Sequence, residues 1–121
     1  MTRYGSRRQG REPLVGTREY AAVVVARNRL GARTGAVEPP SPQFTSGAAA
    51  AYQWALGGTE RSPVTGNGSA EGVPGLQDLT AEVDAAVVQM EDPTSAAGPR
   101  DYHRGVHDAL AWVCGHSNHA P

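Results

Sequence analysis

The stretch Gly105–Pro121 reads GVHDALAWVCGHSNHAP, and Gly47–Pro63 reads GAAAAYQWALGGTERSP. Set one above the other without a gap, Gly47 falls on Gly105, Ala51 on Ala109, Trp54 on Trp112, Gly57 on Gly115 and Pro63 on Pro121. Just upstream, Phe44 falls on Tyr102. The chain's only two Trp residues coincide. Phe44, Gly47, Ala51 and Trp54 are spaced three, four and three, as are Tyr102, Gly105, Ala109 and Trp112. That spacing places each set on one helix face. Gly inside a helix costs ~1 kcal/mol relative to Ala. Carrying that cost at matching places predicts a neighbouring helix passing close by, with the aromatics packed around the crossing. The expected fold is therefore all-α: an antiparallel four-helix arrangement made of two related helix pairs, an internal duplication.

The four helices are expected near 18–30, 42–56, 78–91 and 99–114. Thr17 is placed to cap the first, with Glu19 near its positive end. Tyr20, Val23, Val24 and Leu30 mark its buried side. Val23–Val25 suits a strand as well, but flanking Ala21, Ala22 and Ala26 favour helix. Ser41-Pro42 starts the second helix, with Ser as cap and Pro where a missing N–H costs nothing. Gly57 and Gly58 stop it. Asp78 is expected to cap the third helix, whose Ala85-Ala86-Val87-Val88 matches Ala21-Ala22-Val23-Val24. Glu82, Asp84, Glu91 and Asp92 read as its solvated face. Residues 17–121 then form the helical domain, with halves near 17–66 and 76–121 joined by a Gly/Ser/Pro linker.

The element W-x-x-G-x-x-x-x-x-P, here Trp54–Pro63 and Trp112–Pro121 with Val64-Thr65-Gly66 after the first, resembles segments of short uncharacterised helical proteins of actinobacteria and their mobile elements. The resemblance implies a genomic setting and no chemistry.

Composition narrows the rest. Leu, Ile, Val and Phe supply 19 of 121 residues, so the core must be built from Ala, Val and a few aromatics. Such small side chains each bury little area at ~25 cal/mol per Å², which predicts marginal stability for a lone monomer, or help from a protein partner, a metal or self-association. The single Cys excludes an internal disulfide. No apolar run approaches the ~20 residues of a membrane span, and no apolar segment follows the N-terminal arginines. The expected location is the cytoplasm.

Charge is unevenly placed. Residues 1–33 carry eight Arg against two acids, and residues 34–121 carry three Arg against ten. Residues 1–16 have no apolar period and are expected to be a flexible basic arm, dispensable for folding. Arg3, Arg7, Arg8, Arg11 and Arg18 would contact nucleic acid or another acidic partner; the competing reading lays the arm on the chain's own acidic half.

Every His and the only Cys lie between His103 and His119. His103 and His107 are four apart, Cys114 is seven further on, and His116 and His119 follow the helix end. Imidazole and thiolate suit a tetrahedral Zn²⁺, so these five are the candidate metal ligands. The competing reading is a polar helix face, with Cys114 as a small buried hydrophobe where the first half has Leu56. His107 and Asp108 are adjacent and are expected to point to different sides of the helix. No nucleophile motif or phosphate loop is present. The expected function is a small non-enzymatic interaction or regulatory protein. The alternatives are a nucleic-acid-binding accessory protein and a metal-binding protein.

Overall fold

The computed structural model describes residues 14–30, 41–59, 61–66 and 73–121. Two short strands, β1 (Leu14–Val15) and β2 (Arg18–Glu19), precede four helices: α1 (Tyr20–Arg29), α2 (Pro42–Ala55), α3 (Leu76–Glu91) and α4 (Ala97–Val113). The protein is mostly helical, and no helix among the described residues is long and apolar enough to cross a membrane. The Val23–Val25 run is helical, as its alanine neighbours favour.

The helix ends follow local chemistry. Ser41 Oγ accepts from Phe44 N at 3.1 Å and Pro42 holds the first helical position of α2. At the other end Leu56 N donates to Tyr52 O, Gly57 N to Trp54 O and Gly58 N to Gln53 O. The end of α4 has the same three bonds 58 positions on: Cys114 N to Leu110 O, Gly115 N to Trp112 O and His116 N to Ala111 O. Gly57 and Gly115 both sit in the left-handed region, at φ 84° and 85°, which only glycine enters without strain.

Two caps differ from the sequence reading. α3 begins two residues early, with Gly75 as its cap residue and Asp78 inside its first turn, where the carboxylate still faces the positive helix end. Thr17 caps nothing at α1, whose cap residue is Glu19. Thr17 lies instead in the β1–β2 turn, with its N and Oγ1 both donating to Val113 O, at 2.9 and 3.0 Å.

That turn corrects the extent of the arm. In the hairpin Leu14 lies opposite Glu19 and Val15 opposite Arg18. Val15 is completely buried in the same core cluster as Val23, Leu79 and Val113. The hairpin also completes the end of α4: of the last carbonyls, which a helix leaves without internal partners, the following turn serves Leu110 O, Ala111 O and Trp112 O and leaves Val113 O. Thr17 and Arg18 reach from the hairpin to Val113 O and Trp112 O at the end of α4. Residues 14–16 thus belong to the folded unit; the rest of the expected arm, 1–13, lies outside the described residues.

α4 is the organising helix. It packs most extensively on α2 and next on α3, whereas α1 reaches α2 over a small area. The α2–α4 crossing is built on glycine. A Cβ on Gly47 would overlap the backbone carbonyl of Tyr102, and one on Gly105 would overlap the carbonyl of Phe44. Both Trp side chains are nearly buried, and Trp112 meets Tyr52 edge to face at 6.2 Å. The solvated face assigned to α3 needs one correction: Glu82 is 2% exposed. Its carboxylate accepts from Val64 N, from Thr65 N at 3.0 Å and from Thr65 Oγ1 at 2.9 Å, and so pins the turn that follows α2.

Candidate functional site

The sequence-predicted residues separate into three groups. Arg3, Arg7, Arg8 and Arg11 lie outside the described residues. Arg18 lies inside them and is not a free cation for a polyanion. Its Nε donates to Trp112 O at 2.8 Å and its terminal nitrogen to Ser117 O at 2.7 Å, and its guanidinium stacks over the Trp112 ring at 4.7 Å. A cation suits the negative end of α4, and the planar fork satisfies two carbonyls together. Arg18 holds the tail that follows α4.

The five His and Cys residues are not brought together. Among the described residues no three His, Cys, Asp or Glu side chains gather as a metal site would need. Cys114 is buried near Thr80 of α3, and burial pushes its thiol pKa up. His103 meets the edge of the Tyr102 ring at 5.6 Å, and its Nδ1 is buried with no partner among the described residues. Helical spacing put both residues on the stripe of His107, but the stripe is divided between different neighbours.

His107, His116 and His119 do share a place. They line a half-open cavity of about 720 Å³ between α4 and the tail. Leu30, Phe44, Ala111, Ala120 and Pro121 supply its apolar walls. Asp108 also lines it, and its Oδ1 lies 3.0 Å from His107 Nδ1. This corrects the expectation that the adjacent pair diverges. Successive side chains leave a helix ~100° apart, yet both are half-exposed, and there each can swing toward the other. The tail itself is ordered by local bonds: Ser117 Oγ donates to His119 O and accepts from His119 N.

The matching place in the first half is built differently. There the Tyr102 hydroxyl donates to Pro63 O at 3.4 Å, tying the chain after α2 to α4. Burial is the main reason the Tyr102 pKa is raised, with the Glu82 charge adding to it. Beside the cavity the corresponding residue is Phe44, which has no hydroxyl to offer Pro121. No sequence signal marked Phe44, Leu30 or Pro121 as cavity walls, because the cavity is formed by segments distant in the chain. Comparison with protein-family models, with curated proteins and with solved structures returns no match.

Proposed function

We propose that this protein works by binding rather than by catalysis, and that the cavity beside His107 is where it binds. What supports the reading is one observation: a cavity of about 720 Å³ with apolar walls, whose polar lining includes His107, Asp108, His116 and His119. Ligand pockets run to roughly 300–1,000 Å³ and combine an apolar lining with a few polar groups that fix orientation. The scaffold beneath is the glycine crossing of α2 and α4. We infer that these helices and their ends descend from one duplicated unit, supported by the reciprocal glycine contacts and the matched end bonds. α1 and α3, of 10 and 16 residues, differ more. The test is a small-fragment library titrated into the full chain and followed by amide NMR. Binders should move the signals of Ala111 and residues 116–120, and Ala111→Leu, which projects a larger side chain into the cavity, should weaken or abolish the shifts. Hits that map elsewhere and survive Ala111→Leu would refute the assignment.

A nucleic-acid role keeps one supporting observation. Arg27 and Arg29 stand exposed in the last turn of α1, and among the described residues the Arg27 guanidinium bonds only to the side chain of its neighbour Asn28, at 3.4 Å. Retention on DNA resin at physiological salt, lost in Arg27→Ala/Arg29→Ala, would support it.

A further inference from the structure

The polar wall of the cavity has a definite hydrogen-bonding sense. Asp108 is acceptor-only when ionised, so its contact with His107 requires the proton on Nδ1. In the neutral ring that leaves the lone pair on Nε2. The anchored imidazole therefore presents an acceptor, and the carboxylate beside it presents another. Among the described residues no Arg lines the cavity, and Arg18, which holds the tail, is turned to Trp112 O and Ser117 O. The other two imidazoles, His116 and His119, are exposed at the rim and adapt to either role. The apolar side is supplied by Phe44 and Leu30.

The opposite half shows that the fold does not need these groups. His107, Asp108, His116 and His119 stand where the first half has Ala49, Ala50, Gly58 and Arg61. There the tyrosine hydroxyl of Tyr102 ties down the chain at Pro63, whereas Phe44 and Pro121 are walls of an open space.

Resting on the binding role assigned to this cavity, we propose that its ligand is a small molecule joining an N–H or O–H donor to an apolar, ring-sized body, of the arylalkylamine or arylalkanol kind. The donor meets His107 Nε2 and Asp108, and the ring lies against Phe44 and Leu30. An isosteric carboxylate brings no donor and places a second negative charge near Asp108.

The experiment titrates 2-phenylethylamine, 2-phenylethanol and phenylacetate into the full chain, with amide NMR as readout. The amine and the alcohol should shift the Ala111, His116 and Ala120 signals and bind at least about tenfold more tightly than phenylacetate. Asp108→Asn should weaken the amine more than the alcohol. His107→Leu should weaken both by about tenfold, with partial recovery in His107→Gln, which keeps an acceptor oxygen. Unmoved α3 signals check that each variant is folded. Equal or tighter binding of phenylacetate would overturn the donor assignment while leaving the cavity as a binding site. If no probe shifts the cavity signals at millimolar concentration, the binding role itself fails, and this inference with it.

Discussion

Gly47 and Gly105 keep two backbones in contact, so the cost of a methyl group at either is set by main-chain atoms that cannot rotate away. Gly47→Ala or Gly105→Ala should gain the helix propensity of alanine, ~1 kcal/mol, yet lose more by forcing α2 and α4 apart. Each variant should melt well below the parent, by a net ~2 kcal/mol or more. This position was legible in the sequence, because an unfavourable helical residue that recurs in register points to a close backbone approach. Arg18 was not legible. Its partners are the carbonyls of Trp112 and Ser117, 94 and 99 positions away, and backbone acceptors leave no mark in composition. Arg18→Lys keeps the charge but not the planar fork. Thermal unfolding should show a loss of ~1–2 kcal/mol, and hydrogen exchange should rise first at residues 115–119. Tyr52, the largest fully buried side chain among the described residues, also escaped the repeat pattern because Leu110 holds the matching place.

At the scale of elements, all four helices lie within about two residues of where periodicity and end signals put them. The hairpin was missed because strands of two residues carry no period, and Val15 gives no sign of its burial. The cavity was missed for a related reason: its walls come from the end of α1, the start of α2, α4 and the tail. Its shape depends on Phe44 lacking a hydroxyl. Phe44→Tyr should let the ring tie itself to Pro121, as Tyr102 does to Pro63, and so narrow the cavity. Ligand shifts at Ala111 should then weaken while the melting temperature stays level or rises. The turn after α2 depends instead on Glu82, whose carboxylate has donors on both oxygens. In Glu82→Gln the amide oxygen still accepts from Val64 N and Thr65 N, but without the charge that strengthens those bonds, which should cost ~1 kcal/mol, with the largest amide shifts at Val64 and Thr65.

For the whole molecule, the titration of two groups fixes the direction of a pH dependence. Burial raises the Cys114 thiol above its ordinary 9.0, and burial, aided by the Glu82 charge, raises the Tyr102 phenol above 10.0. Both are neutral when protonated, so above those ordinary values the folded chain holds protons that the unfolded chain has released. Stability should be at its full value below pH ~9 and fall as pH rises beyond it. Cys114→Ala should reduce the first part of that fall in a melting-temperature profile. The same long separations that hid Arg18 and the cavity from the sequence also bear on how the chain reaches this state. Helical proteins rich in local contacts fold in microseconds to milliseconds. Here the hairpin closes on Val113 across 96 positions, and α2 finds its glycine partner only in α4. During synthesis the first strands and α2 leave the ribosome long before the surface they bury against exists. Refolding followed by tryptophan fluorescence should accordingly be slower than for a simple helical hairpin, and a nascent chain ending before Gly105 should remain open to protease.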